Sequence, residues 1–339
     1  MPSRIVDRHV GGNTTYARQL RSGLVERGVE VGTVPSGGNP LTTALRESLF
    51  GLKARDESDV IHYVADTGPI ISTRCKSVVT VHGVASHWIS GVRSPIQEKI
   101  WRSRVSRAID STNMVLTVSS SSADDIAEVF KIDRANVRVI PHGIDLEKFS
   151  NRTLTADPIR NRLPKQYILY LGNIEPRKNI DNLVKAIDAL ATQIPEIHLV
   201  IAGRQAWGYE KTMQLIDSSP NCTYLGFISD SERLTLMQNC SLFAFPSLYE
   251  GFGFPVLEAL ACGAPVVSSR NGALSEVAGP AMTFESTDVE GVITGIERGL
   301  RDHEWRRSVI SAGPEWASRF NWAQSVALHV KAYEEVLEL

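Results

Sequence analysis

Apolar residues along this chain recur in two rhythms, and the alternation between them predicts the architecture. Short β-rich runs at residues 4–6, 29–34, 59–64, 78–82, 114–118 and 137–141 are separated by stretches of helical period over 14–27, 41–50, 95–110 and 123–131. The second half repeats the scheme, with strands predicted at 167–172, 198–203, 223–226, 242–246, 265–268 and 282–284. Its clearest helix covers 180–190, where Ile180, Leu183, Val184, Ile187 and Leu190 share one face at a 3.6-residue period. Another opens at Ser229, whose spacing to Glu232 has the form of a capping box. Strands with helices between most of them imply parallel sheets covered on both faces. The fold class is therefore α/β, with two Rossmann-like doubly wound domains at 1–150 and 166–320. The polar segment 151–165, with Pro158 and Pro164, reads as the linker, and 321–339 as a C-terminal helix packing back toward the N-terminal domain. Ligands of open parallel sheets bind beyond the carboxyl ends of the strands, so a cleft between the two domains is the expected site.

Composition adds exclusions. A chain of 339 residues that is 42% hydrophobic and 22% charged has enough material for two ordinary cores. Lys+Arg 36 against Asp+Glu 38 leaves a net charge of -2, which argues against a nucleic-acid partner. Cys75, Cys222, Cys240 and Cys262 form no C-x-x-C pair and read as small buried hydrophobes, giving neither a zinc site nor a disulfide framework. The first residues, MPSRIVDRHVGG, lack the apolar core of a signal peptide, and no run approaches a membrane span. The expectation is a soluble, cytoplasmic protein with no cofactor and no bound metal.

The residues richest in chemistry follow predicted strands. In PSLYEGFGFPVLEALACG, residues 246–263, a Gly-rich loop carries Glu250, and Pro255 suits the first helical position, where its missing N–H costs nothing. Glu258 is then expected in the first turn among Val256, Leu257, Ala259 and Leu260. A carboxylate there needs donors, and the vicinal hydroxyls of a ribose supply two; the alternative is that it complements the helix dipole. Gly251 and Gly253 free backbone N–H groups for close approach to a ligand. In LGNIEPRKNI, residues 171–180, Arg177 and Lys178 converge on a helix start, a site for a diphosphate; the alternative is a solvated pair balanced by Glu175. Gly11 and Gly12 precede the first long helix and offer amides to a phosphate or sugar hydroxyl, or merely make a turn. His82 ends an apolar strand at the ligand-binding edge, a better position than that of His62 inside a strand.

At these residues the sequence resembles the retaining, GT-B-fold glycosyltransferases called family 4. The likeness runs over nearly the whole chain: Gly11-Gly12, VTVHG at 79–83, VSSSSADDI at 118–126, VIPHGID at 139–145, LGNIEPRKN, LGFIS at 225–229 and FPSLYEGFGFPVLEALACGAPVV. The last holds the family's pair of glutamates, Glu250 and Glu258. The resemblance implies that Glu258 holds the nucleotide ribose, while Glu250 and the backbone of Gly251, Phe252, Gly253 and Phe254 contact the donor sugar. By the same likeness Lys178 and Arg177 hold the leaving diphosphate in place of a metal, Gly12 with Gly11 approaches its distal phosphate, and His82 lines the sugar and acceptor side. Asn173, Gly203, Arg204, Phe227 and Ile228 join the donor set. The implied donor is GDP-mannose, then a UDP-hexose or dTDP-deoxysugar, and the acceptor a carbohydrate or lipid-linked glycan. Two departures stand out. Asn173 occupies a place where family members commonly carry Arg, and the first strand is short, so that either the sheet edge is trimmed or residue 1 is not the natural start.

Acceptor choice falls to the first domain. Arg93, Lys99, Arg102, Arg104 and Arg107, with Trp88 and Trp101 nearby, describe either a basic amphipathic surface for anionic lipid or a lipid-diphosphate, or a helix packed on the sheet with a solvated face. The alternatives to a transferase are a non-catalytic sugar-nucleotide-binding subunit, favoured by Asn173, and a nucleotide-sugar epimerase. A dehydrogenase is excluded because no G-x-G-x-x-G follows the first strand.

Overall fold

The computed structural model describes residues 1–7, 11–53, 59–150, 159 and 163–339, which form two compact units, Met1–Gly143 with Phe320–Leu339, and Ile144–Arg319. The first is built on a parallel sheet in the order β1 (Val60–Tyr63), β2 (Lys76–Thr80), β3 (Met114–Thr117), β4 (Val137–Val139). The register aligns Tyr63 with Val79, Val79 with Val115, and Val115 with Val137. That row meets Val105, Ala108 and Ile109 of helix Pro95–Asp110, Ala123 and Ile126 of helix Ser120–Phe130, and Phe50 of helix Pro40–Leu52. The alternate row, with Val78 and Leu116, packs on Ala332 and Val336 of helix Trp322–Glu338.

Two of the strands expected in this unit do not form. Residues 4–6 lie in the short helix Ser3–Val6, and 29–34 supplies only the isolated bridge of Val34 to Pro2. A run as short as Ile5-Val6 buries its side chains against helix Gly12–Glu26 equally well in a helical turn, so apolarity alone does not choose. In 29–34 only Val34 is buried, which leaves no apolar face for a strand to present.

The units part in sequence between Gly143 and Ile144, earlier than the expected end of the first domain at 150. Ile144 and Phe149 are buried in the second unit, where helix Leu146–Ser150 packs on helix Phe254–Ala261. Of the expected linker 151–165, only Ile159 and 163–165 lie among the described residues. Helix Trp322–Glu338 belongs to the first unit.

The second unit carries β5 (Ile168–Leu171), β6 (Leu199–Ala202), β7 (Cys222–Tyr224), β8 (Leu242–Phe245), β9 (Val266–Ser268) and β10 (Met282–Thr283), all parallel, in the order β10-β9-β8-β5-β6-β7. In chain order this is the doubly wound 3-2-1-4-5-6 arrangement, with its reversal between β5 and β8. Every position of β5, β6 and β8 is buried, which explains their unbroken apolar runs. Because β5 pairs with β8, through Leu169 and Phe243, the loops that leave these strands emerge side by side at the switch point.

Candidate active site

The two loops at that point hold the sequence's most charged candidates. After β5 the chain passes Gly172, Asn173 and Ile174, turns through a 3-10 segment at Pro176–Lys178, and enters helix Ile180–Leu190 through Asn179 at φ 58. Asn tolerates this left-handed conformation better than most residues, and here its amide donates to Pro246 O at 3.2 Å and Thr287 O at 2.7 Å. The β5 loop is thereby tied to the β8 loop. The tie is reinforced by Leu248 N–H donating to Arg177 O at 2.9 Å.

Between the loops lies a buried ionic knot. Glu250 Oε1 accepts from Lys178 Nζ at 2.5 Å and from Ser247 Oγ at 2.6 Å, while Oε2 accepts from Arg177 Nη1 at 2.9 Å. Arg177 also donates to Glu175 Oε1 through Nε and Nη2, at 3.0 and 2.5 Å, and to Tyr249 O at 2.7 Å. Burial alone would raise the Glu250 carboxyl, but the two cations outweigh it and hold its pKa at about 2. Arg177 and Lys178 are thus balanced by both Glu175 and Glu250, not by Glu175 alone. The guanidinium fork expected to grip a diphosphate is spent on bracing the loops, with four of its N–H bonds committed. The Lys178 ammonium donates only to Glu250 among the described residues, and its Nζ sits 5.0 Å from the Phe245 ring centroid.

Beyond Glu250 the chain reaches Gly253 at φ 105, a conformation a side chain rarely adopts; a Cβ there would also lie 2.6 Å from Leu274 Cδ2. Helix Phe254–Ala261 starts immediately after it, with Pro255 in its opening positions. The helix begins one residue before Pro255, so Glu258 is its fifth residue and lies in the second turn, not the first. Arg233 Nη2 donates to Glu258 Oε1 at 3.1 Å. The Glu258 carboxylate makes no other hydrogen bond among the described residues, and its pKa is raised by burial, with Arg233 and Lys148 opposing. Arg233 sits on helix Asp230–Asn239, whose start is fixed by the capping box between Ser229 and Glu232. Its guanidinium lies 5.2 Å from the Phe149 ring centroid, and Lys148 pairs with Asp230 at 2.6 Å. Sequence reasoning missed Arg233; its only signal was a cation one turn beyond a recognised cap.

The remaining donor candidates of this unit follow the same sheet edge. Gly203 succeeds β6 at φ 151, and a Cβ there would collide with Gly172 O at 1.8 Å, so the close approach of the β5 and β6 loops requires glycine. Arg204 stacks 4.1 Å from the centroid of Phe227, which is 59% exposed and precedes half-buried Ile228. Asn173 is exposed, and its carbonyl accepts from Tyr170 Oη at 3.2 Å.

In the first unit Gly11, at φ 125, caps helix Gly12–Glu26. Tyr16, one turn inside, packs edge-on to His82 with ring centroids 5.1 Å apart, so Gly11, Gly12 and His82 share a neighbourhood. His82 Nε2 donates to Val64 O at 2.9 Å and its backbone N–H to Asp66 Oδ1 at 2.8 Å, which leaves Nδ1 as the ring's acceptor. His62 is instead fully engaged in the fold, between Tyr333 Oη and Thr80 Oγ1, each at 2.7 Å. Three of the cysteines are buried as expected, while Cys222 is only half-buried.

Comparison with known proteins fits this arrangement. Residues 152–316 match the family Glycosyl transferases group 1, and residues 35–148 match Glycosyltransferase Family 4. The O-antigen chain mannosyltransferase B of Escherichia coli is 27% identical over 267 residues, 76% of this chain and 70% of that protein. The serotype-specific mannosyltransferase WbdA of Escherichia coli is 31% identical over 237 residues, 66% of this chain but only 29% of that protein. Among solved structures, sucrose-phosphate synthase from Thermosynechococcus elongatus superposes with a TM-score of 0.79 at 21% identity, covering 97% of this chain and 94% of that one. The chain belongs to the family 4 type of GT-B-fold glycosyltransferases.

Proposed function

We propose that this glycosyltransferase is a retaining, metal-independent hexosyltransferase. It moves a hexose from a nucleotide-diphosphate donor, GDP-mannose first and a UDP-hexose or dTDP-deoxysugar next, to a carbohydrate or lipid-linked glycan acceptor in cell-surface polysaccharide synthesis. The observation that carries this reading is the Lys178–Glu250–Arg177 knot at the switch point of the donor unit. The mannosyl choice is supported by the names of two relatives, both mannosyltransferases.

In this reading the anomeric carbon–phosphate oxygen bond breaks, building positive charge on the sugar and negative charge on the diphosphate. Lys178, with two uncommitted N–H bonds, meets that negative charge in place of a metal ion. Arg177 acts through Lys178 and Glu250 by fixing their positions. The acceptor oxygen bonds to the same face of the anomeric carbon, and its proton passes to the departing phosphate oxygen. Glu250 is a poor candidate for a covalent nucleophile, since three donors already engage its carboxylate, and this supports the front-face course. Gly12 approaches the distal phosphate, Arg204 and Phe227 offer a stacking surface for the base, and His82 presents Nδ1 to the sugar and acceptor.

The open oxygen of Glu258 takes the ribose hydroxyls, while Arg233 holds the other. Ribose contacts are alike in ground and transition states, so Glu258→Ala is expected to raise KM for the donor about tenfold to a hundredfold with kcat little changed. An unchanged KM with a collapsed kcat would remove the ribose assignment. The whole reading is tested by thermal shift with GDP, UDP, dTDP and ADP, followed by release of free nucleoside diphosphate in the presence of EDTA. The expected outcome is a preference for GDP and turnover insensitive to EDTA. Binding without turnover for any donor would make the chain a non-catalytic subunit, conversion of donor without acceptor would make it an epimerase, and EDTA inhibition reversed by Mn²⁺ would end the metal-free account.

A further inference from the structure

The basic segment noticed in the sequence takes a different form in the fold. Trp101, Val105, Ala108 and Ile109 of helix Pro95–Asp110 pack in the core, as one alternative required. Arg104 is half-buried within electrostatic range of buried Glu47 of helix Pro40–Leu52, and Arg93 and Arg102 are tied to Glu98 at 3.2 and 2.6 Å. What the helix shows to solvent is Ile96, which is 73% exposed, and Ile100 one turn on. Helix Pro40–Leu52 does the same with Leu41, 77% exposed, followed by Leu45 and Leu49 at successive turns.

Both helices pack on the same face of the first unit's sheet and approach each other at Glu47 and Arg104, so their outward stripes look the same way. Each stripe runs from apolar to basic: Leu41, Leu45 and Leu49 lead to exposed Lys53, and Ile96 and Ile100 lead to exposed Arg107. Arg46 and Lys99 lie beside them, also exposed, and the only exposed acid on the two helices is Asp110. Five large aliphatic side chains grouped in this way exceed the scattered exposure normal for a soluble surface.

We propose that this two-helix face is a docking surface for a bilayer containing anionic lipid. The aliphatic stripes would enter the headgroup boundary while the cations meet lipid phosphates. The charge selects this occupant, because a second copy of the chain would set like cations against one another. Among the described residues no helix is long and apolar enough to cross a membrane, so the contact is with the surface. The inference rests on the first unit alone and stands independently of donor or acceptor.

The test is co-sedimentation of the full chain with vesicles of phosphatidylglycerol and phosphatidylcholine, and with phosphatidylcholine alone. Binding is expected only to the mixed vesicles and is expected to weaken as salt rises. The double variant Leu45→Asn with Ile100→Asn, and separately Lys99→Glu with Arg107→Glu, should each reduce the partition coefficient at least about tenfold, with unchanged far-UV circular dichroism and melting temperature. Absence of binding to the anionic vesicles, or binding that neither variant alters, overturns the proposal. So does a concentration-dependent dimer that the Leu45→Asn and Ile100→Asn variant dissociates while vesicles bind no protein, since the stripes would then join two copies of the chain.

Discussion

Lys178→Met is expected to lower kcat by about 10²–10³ while leaving KM for the donor within a few-fold, the magnitude found when one preorganised donor to a developing anion is removed. The buried ammonium is already positioned by Glu250 and sits against the Phe245 ring, so the proposed mechanism needs no reorganisation as charge accumulates on the leaving diphosphate. Methionine keeps an unbranched stem in that place and removes only the charge and its donors. The protein should remain folded, because Glu250 retains Arg177 and Ser247 as partners. Steady-state kinetics with saturating acceptor separate the two parameters. A rise in KM with kcat intact would mean that Lys178 grips the donor equally in ground and transition states. An unchanged pair of constants would remove Lys178 from the reaction altogether.

The contrast between Lys178 and Arg177 also shows where sequence reading reaches its limit. Two adjacent cations at the start of a helix, after an apolar strand, mark an anion site, and the structure does place both at the switch point. Which of the two remains available depends on acceptors that adjacency does not reveal. Glu175 is two residues from Arg177, but Tyr249 O and Glu250 are 72 and 73 residues away, brought near only by the pairing of β5 with β8. The same holds for Arg233, which looks like a solvated charge on its own helix until Glu258, 25 residues later, is folded against it. In the first unit the core arc of helix Pro95–Asp110 was legible from its period, because Val105, Ala108 and Ile109 must meet the sheet together. The failure at 4–6 and 29–34 has the opposite cause: runs of few apolar residues lack enough period to distinguish a turn of helix from a strand. Glycines were legible as turn positions, yet the demand on Gly203 comes from Gly172 O in a neighbouring loop.

Glu250→Gln should produce the largest loss of stability, and its size follows from the geometry of the knot. The wild-type carboxylate neutralises two cations that are themselves largely buried, with side-chain exposures of 9% for Lys178 and 19% for Arg177. A neutral amide keeps the shape but leaves those cations with only the Glu175 carboxylate, which pairs with Arg177, as a neighbouring counter-charge. Removing one partner from a buried pair costs about 3–5 kcal/mol. A depression of the Glu250 pKa from 4.5 to about 2 corresponds to about 3 kcal/mol, the same order. For a unit of this size the melting transition should fall by roughly 10 °C. The pH dependence supplies a second readout. Because the folded-state pKa lies below the unfolded one, the wild-type contribution is complete above pH 4.5, declines as pH falls toward 2 and is absent below that. Glu250→Gln should lack this step, so wild-type and variant stabilities should converge on acidification. In the proposed donor site a nucleoside diphosphate would bring replacement negative charge to Lys178, and GDP should therefore raise the variant's melting temperature more than the wild type's. Equal stability of the two proteins at neutral pH would show that solvent, not Glu250, neutralises the cations. A variant that is destabilised yet gains nothing extra from GDP would place the diphosphate away from Lys178.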